Sequence, residues 1–400
     1  MLKRFRVNNF RSLLNVEFRP VGVNVLIGPN NAGKTNLCSA LRFLGLSASL
    51  SLEDAIRASV GETWNIRNVY TPDKNIEIEL ECSLPYKGDT IDFEYSLSLA
   101  VRTAPSGYGH ALSVWKETLR VTGVGFVQTP LLENSRGEVR SASEGWSGKP
   151  GLHPEGFALS HFTERLSIGT TAICQQHPAS DGLARLFREY LHNWSYYAFS
   201  PYSLRSPVVV RESPVLSSDG KNLTRTYFSL HNEKPRTEKK LIEIIKTLEP
   251  RLDLFTYTSP DPDSVYLFME DQKGNRFGVQ SISDGTLRFM AMAYLILTGE
   301  DANHDSPPGL TIIEEPENGL YVGHLKPLFE KLTGPGRKDQ FIFTTHSPYF
   351  IDLFDSCLDG VHLVKPGVPS SEIKKPDPEK TGKLLDEMPL GEMHFREMLG

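Results

Sequence analysis

The sequence predicts an α/β fold with a mixed central sheet that carries a phosphate-binding loop, an antiparallel β-subdomain and a helical lobe. Three observations carry this. Residues 28–35 read Gly-Pro-Asn-Asn-Ala-Gly-Lys-Thr, a full match to the P-loop pattern. Two later runs, 310–317 and 341–348, are apolar and end in Glu-Glu-Pro-Glu and Thr-Thr-His-Ser-Pro. Finally, Ile76, Ile78, Leu80, Cys82 and Leu84 alternate with Glu77, Glu79 and Glu81, and Phe93, Tyr95, Leu97, Leu99 and Val101 alternate likewise. That period of two marks half-buried antiparallel strands.

The loop comes first. Val21–Ile27 is short and apolar, like a buried parallel strand. Leu37, Leu41 and Leu44 then fall on one face of a helix. A chance glycine-rich turn would lack that strand and that helix. Gly28 and Gly33 are expected to let the backbone approach a phosphate chain closely. Pro29, Asn30, Asn31 and Ala32 complete the loop, and Asn36 follows it into the helix. Backbone N–H groups and the helix start would meet the anion. Lys34 would reach the β- and γ-phosphates, and the Thr35 hydroxyl would ligate Mg²⁺.

Leu310-Thr-Ile-Ile-Glu-Glu-Pro-Glu317 is a strand delivering acids to its C-terminal end, where α/β sheets bind ligands. Glu314 is the candidate for holding Mg²⁺, directly or through water. Glu315 is the candidate for polarising an attacking water. Without the loop, a solvated acidic turn would explain the run equally well. In Phe341-Ile-Phe-Thr-Thr-His-Ser-Pro348, His346 ends a second buried run and would contact the γ-phosphate. Ser281-Ile-Ser-Asp-Gly-Thr-Leu-Arg288 opens a helix expected to reach Ile296. Ser283, Gly285 and the helix start make a second anion-binding surface, although Ser-Asp-Gly alone is a common capping turn. Two half-sites so far apart in one chain predict a site completed between two copies.

In this order the motifs resemble the ABC-type ATPase heads of the RecF, SMC and OLD group. They are still more similar to stand-alone AAA-type, AAA-21-like ATPases. Phe5-Arg-Val-Asn-Asn-Phe-Arg-Ser12 resembles the opening strand of those proteins, whose following loop, here carrying Arg11, touches the nucleotide. Asp219-Gly-Lys-Asn-Leu223 resembles a mid-chain motif of the stand-alone group. Ile313-Glu-Glu-Pro-Glu-Asn-Gly-Leu320 and Thr345-His-Ser-Pro348 match it almost letter for letter. The resemblance implies that Gly28 to Thr35 bind ATP and that Thr35 with Glu314 hold Mg²⁺. It makes Glu315 the catalytic base and His346 the switch histidine, and has Ser283 and Gly285 close over the γ-phosphate of another subunit. The metal position departs from the Asp of transporter ATPases, and the signature is Ser-Asp-Gly rather than Ser-Gly-Gly. Gln128 is a weak candidate for the glutamine of the Q-loop.

The 400 residues are ample for a large core and enough for two lobes, with 39% hydrophobic and 23% charged residues, as in ordinary globular proteins. No apolar segment after Met1 reads as a signal peptide, and no run reads as a membrane span. Cys38, Cys82, Cys174 and Cys357 lack metal or disulfide spacing, which fits a cytoplasmic location. A net charge of −6 argues against a bulk polyanion-binding surface. Local basic clusters do occur at Lys3, Arg4, Arg6, Arg11 and Arg19, and at Lys234, Arg236, Lys239 and Lys240.

The expected organisation is one ATPase head. An N-terminal lobe (1–130) holds the loop and antiparallel strands, followed by an insertion and helical region (131–260). A C-terminal lobe (261–364) holds the signature, the acidic strand and His346, and the tail (365–400) is loose from Lys365 to Lys383. Residues 103–160 read as loops with short strands, and about 180–194 and 237–248 as helices. No sustained heptads announce a coiled-coil arm. OLD-type nucleases add a metal-nuclease domain of ~100 residues or more, whereas about fifty residues follow Pro348 here, so no DNA cleavage is expected. The leading expectation is an ATP-hydrolysing switch. It would form a nucleotide-bridged homodimer or higher oligomer and control a separately encoded effector, such as a nuclease or toxin, in anti-phage defence or DNA-related processes. The alternatives are a RecF-like DNA-binding ATPase and a nucleotide sensor with little turnover.

Overall fold

The computed structural model describes residues 1–62, 66–103, 110–122, 130–135, 138–141, 146–148, 178–206, 208–209, 211, 213–300, 307–334 and 337–399. Gln128 and Cys174 lie outside the described residues.

The chain opens with β1 (Leu2–Asn8) and β2 (Val16–Phe18), an antiparallel pair with Phe5 opposite Phe18. β3 (Val23–Ile27) leads through the glycine loop into α1 (Lys34–Ser47), and α2 (Leu52–Val60) follows. Six antiparallel strands come next: β4 (Ile76–Tyr86), β5 (Asp89–Thr103), β6 (His110–Thr122), β7 (Pro130–Ser135), β8 (Glu138–Ser141) and β9 (Trp146–Gly148). They extend the first pair into an eight-stranded sheet ordered β2-β1-β4-β5-β6-β7-β8-β9. The expected alternating runs are β4 and β5, with Leu80 opposite Tyr95. β6 is longer than the loops and short strands expected there. Its register shifts between Ser98 and Leu99 of β5, so Val114 pairs with Leu99 while Lys116 pairs with Ser98. The extra residue flips the side-chain phase: Leu112 and Val114 are buried before it, Leu119 and Val121 after it. A simple alternation count misses such a strand.

After α3 (Pro178–His192), β10 (Trp194–Tyr197), α4 (Pro201–Leu204) and β11 (Val208–Val209) come α5 (Leu223–Glu233) and α6 (Pro235–Lys246). Then β12 (Leu252–Thr258), β13 (Ser264–Asp271) and β14 (Arg276–Gly278) form a small antiparallel sheet with β11. α7 (Asp284–Glu300) precedes β15 (Leu310–Glu314), α8 (Leu325–Thr333), β16 (Gln340–Thr345), α9 (Pro348–Ile351) and β17 (Val361–Lys365). The six-stranded sheet runs β10-β15-β16-β3-β17-β18, with β18 at Glu372–Lys374. Its strands are parallel except for the β17–β18 pair. Ile312, Ile342 and Leu26 enter the core on one face, and Ile313, Phe343, Val25 and Ile27 the core on the other. Burial on both faces explains why these strands read as unbroken apolar runs.

The tail expected to be loose is ordered in this structure. β18 pairs with β17, and α10 (Pro378–Leu385) and α11 (Leu390–Phe395) follow. Within Lys365 to Lys383, a segment rich in Pro and Lys, Ser371 and Thr381 are buried. The Pro- and Lys-rich composition hid these anchors because they are few and widely spaced. Among the described residues, no helix is long and apolar enough to cross a membrane.

Candidate nucleotide site

The parallel sheet assembles the site because β3, β15 and β16 end at the same level. Thr345 registers with Ile27, and Glu314 with Thr344. The glycine loop, the acids and His346 thus emerge side by side at the carboxyl ends of adjacent strands, where open α/β sheets bind ligands.

Gly28, Asn31 and Gly33 take φ values of 152°, 63° and 110°. A Cβ on Gly28 would lie 2.0 Å from the Val364 carbonyl oxygen, and one on Gly33 would lie 2.4 Å from Ser371 Oγ. The protein's own backbone and side chains therefore require both glycines, in addition to the close phosphate approach expected from sequence. Pro29, Asn30 and Asn31 are exposed and Ala32 is buried. Gly33 caps α1 without any side-chain hydrogen bond, which leaves the first-turn N–H groups free of a competing side-chain cap.

The Lys34 ammonium donates to Gly28 O at 2.7 Å and Pro29 O at 3.1 Å, and lies 2.9 Å from His346 Nε2. Burial pushes its pKa down to about 8, partly offset by Glu315 and Glu314. Burial, then Lys34, lowers the pKa of His346. Thr35 Oγ1 lies 3.4 Å from Glu314 Oε2, and Glu314 Oε1 is buried without a hydrogen-bond partner among the described residues. Burial raises the pKa of Glu314, and the Glu315 charge adds to this. Glu315 adopts φ 46°, with its N–H bonded to Thr344 O at 2.9 Å and its carboxylate accepting from the Asn318 amide. Its Oε1 stands 3.9 Å from His346 Nε2. Asn30 to Asn36, Glu315, Thr344 and His346 line one cavity of ≈ 250 Å³.

Arg11 joins this group from the opening segment. Its guanidinium donates to Asn36 Oδ1 at 3.2 Å and to Val60 O at 3.3 Å. Asn36 donates to Ser12 Oγ at 2.8 Å, and Ser12 Oγ meets Ser371 Oγ at 2.7 Å. Ser283 and Gly285 are placed elsewhere. Ser283 caps α7, accepting from Thr286 N at 3.1 Å, and lines a separate cavity of ≈ 280 Å³ with Arg251, Glu270 and Phe277. A Cβ on Gly285 would lie 2.0 Å from Gly319 O, so this glycine lets α7 pack onto the turn after the acidic strand. Ser283 is exposed at the molecular surface.

The chemistry of the donor set fits a nucleotide with Mg²⁺. The cation would take Thr35, Glu314 and phosphate oxygens, a small protein contribution typical of Mg²⁺. The buried Glu314 Oε1 would suit that role. Sequence reasoning assigned no role to Glu317, Ser12 or Ser371. Glu317 stood inside the quoted motif, but nothing local shows that its carboxylate turns back to Thr345.

Two family models match the chain. One described as "AAA ATPase domain" covers residues 1–114. The other, "AAA domain, putative AbiEii toxin, Type IV TA system", covers residues 218–352. A segment of 50 residues is 52% identical to the DNA replication and repair protein RecF of Lactobacillus delbrueckii subsp. bulgaricus, covering 12% of this chain and 13% of that protein. Among solved structures, an SMC head bound to the C-terminal winged-helix domain of ScpA aligns with TM-score 0.51 at 13% identity, covering 95% of this chain and 99% of that one. The SMC head domain from Thermotoga maritima aligns at TM-score 0.42 and 13% identity, covering 94% and 99% of the two chains. The first of these alignments shows a shared fold. The two domain models mark residues 1–114 and 218–352 as AAA-type ATPase domain sequence, carried on a fold shared with that SMC head.

Proposed function

We propose that this chain is an ATP-hydrolysing switch whose heads close in pairs around nucleotide. The observation that carries the reading is the meeting of Lys34, Thr35, Glu315 and His346 around one cavity, with Glu314 beside Thr35. Gly28 to Asn36 would hold the triphosphate, with Arg11 fixed against Asn36. Thr35 and Glu314 would hold Mg²⁺, which would supply charge neutralisation to the phosphates. Glu315 takes a proton from the attacking water, His346 contacts the γ-phosphate, and Lys34 steadies the β- and γ-oxygens. The reading assigns ATP hydrolysis, not DNA cleavage, to this chain.

Ser283 and Gly285 of a second copy would complete the site, since each surface of a two-fold pair meets its counterpart twice. The C-terminal family model is described as a putative toxin of a toxin–antitoxin system; a two-component system of that kind supports a separately encoded partner and a defence role. The test is to purify the chain, measure Mg²⁺-dependent phosphate release and follow mass by light scattering with and without ATP. ATP turnover with ATP-dependent association supports the switch. Absence of turnover with intact ATP binding would leave only a nucleotide sensor.

A RecF-like DNA-binding role is the second reading. Lys234, Arg236, Lys239 and Lys240 are all exposed at the start of α6, which favours it. The N-terminal basic cluster does not: Lys3 pairs with Asp92, Arg4 with Glu81, Arg6 with Glu79 and Arg19 with Glu17. DNA-stimulated hydrolysis, weakened by salt and by reversing the α6 charges, separates this reading from the effector switch.

A further inference from the structure

The segment leaving β16 carries His346, and a single carboxylate grips it. Glu315 turns sharply at φ 46°, and the chain makes a tight turn, with Asn318 N on Glu315 O at 3.2 Å and Leu320 N on Glu317 O at 3.0 Å. This brings Glu317 back beneath the end of β16. There Glu317 Oε1 accepts from the Thr345 hydroxyl and, at 3.4 Å, from the His346 N–H. The same hydroxyl accepts from Ser347 N at 2.9 Å. Thr345 and His346 are thus tied directly to one carboxylate, and Ser347 to the hydroxyl it holds, just beyond the last β15–β16 pair, Glu314 opposite Thr344. Thr345 is fully buried, and Glu317 Oε2 is buried with no hydrogen-bond partner among the described residues. A half-satisfied buried carboxylate is costly to keep. A neutral side chain would cost less if only packing mattered.

We propose that Glu317 is a positioning residue that fixes the Thr345–His346 turn and so holds the imidazole against Lys34 and the γ-phosphate. The inference rests on the ATPase reading of the site. The hydrogen bonds of Glu317 Oε1 go to Thr345 and His346, so its loss acts through His346 and leaves the phosphate grip intact.

The test is a double-mutant cycle on ATP turnover in the full chain. Glu317→Ala is expected to lower kcat about tenfold or more, with KM for ATP within about twofold. Glu317→Gln, whose carbonyl accepts the same hydroxyl, should recover most of the activity. Thr345→Val, which keeps the volume and removes the hydroxyl, should resemble Glu317→Ala and provides a reading if that variant unfolds. Glu317→Ala added to His346→Ala should cost nothing beyond His346→Ala alone. Additive losses, a Gln variant as poor as Ala, or a raised KM with unchanged kcat would overturn the proposal while leaving the ATPase reading standing. No turnover in the unmodified chain would overturn both.

Discussion

Lys34 Nζ and His346 Nε2 lie 2.9 Å apart, although 312 residues separate them in sequence. The contact follows from one register: β16 runs parallel beside β3, so Thr345 and Ile27 end together. The ammonium's three hydrogens already face Gly28 O, Pro29 O and His346. A phosphate oxygen reaching Lys34 displaces one of these partners, and it arrives beside His346 when it does. On the proposed reading, the grip of Lys34 on the phosphate and its sensing by His346 would therefore be a single contact.

Lys34→Ala removes a buried cation from the glycine loop. A charge-assisted hydrogen bond is worth about 3 kcal/mol at the upper end, roughly a hundredfold in affinity. Calorimetry with ATP and Mg²⁺ should show binding lost or weakened on that scale. Near-normal affinity would remove the loop from the nucleotide site.

The two adjacent carboxylates separate by position. Glu315 lines the cavity and faces His346, whereas Glu314 sits beside Thr35. Glu315→Gln should keep ATP binding and slow turnover by ~10²-fold or more, the scale of losing a general base. Glu314→Gln should weaken the Mg²⁺ dependence of binding together with the rate. Steady-state rates measured across a Mg²⁺ series distinguish the two, and the opposite pattern would exchange their roles.

The glycine loop, Glu314, Glu315 and His346 were legible because each sits in a contiguous motif at the end of an apolar strand. Their mutual approach follows from parallel strand order, a rule of the fold class. What stayed hidden is non-local. Ser371 lies against Gly33 and Ser12 only because β18 adds to the sheet edge. Glu317 acts through a turn set by the positive φ at Glu315. β6 was obscured by a bulge, and the tail by sparse anchors. Gly285 read as part of an anion-binding helix start, while its contact with Gly319 needs two segments far apart in the chain.

His362 makes stability depend on pH. It is 2% exposed on β17, packed 4.6 Å from the Phe18 ring, with Nε2 3.2 Å from Asn24 Oδ1. Burial, then Lys375, pushes its pKa down to about 3. The unfolded chain protonates this histidine near pH 6.5 and the folded chain does not. Its contribution is therefore complete above 6.5 and is lost as pH falls towards 3, at up to about 1.4 kcal/mol per pH unit. Thermal melts between pH 7 and 4.5 should show a steeper fall for the unmodified chain than for His362→Gln. Parallel curves would mean that His362 is protonated in the folded state.

Ser283 provides the test of assembly. Its hydroxyl caps α7 by accepting from Thr286 N, it is exposed, and the cavity it lines shares no residue with the one around Lys34. If both surfaces serve one nucleotide, they must come from two copies. In the Glu315→Gln background, where ATP persists, light scattering should show association that depends on ATP. Adding Ser283→Arg places bulk and charge at the joint, so association should fail while ATP still binds at Lys34. In the otherwise unmodified chain, Ser283→Arg should lower turnover at least ~10-fold, since one set of charge-stabilising contacts to the γ-phosphate is removed. A Ser283→Arg protein that hydrolyses ATP at the normal rate would show that each chain completes its own site, and the shared-site mechanism would fall.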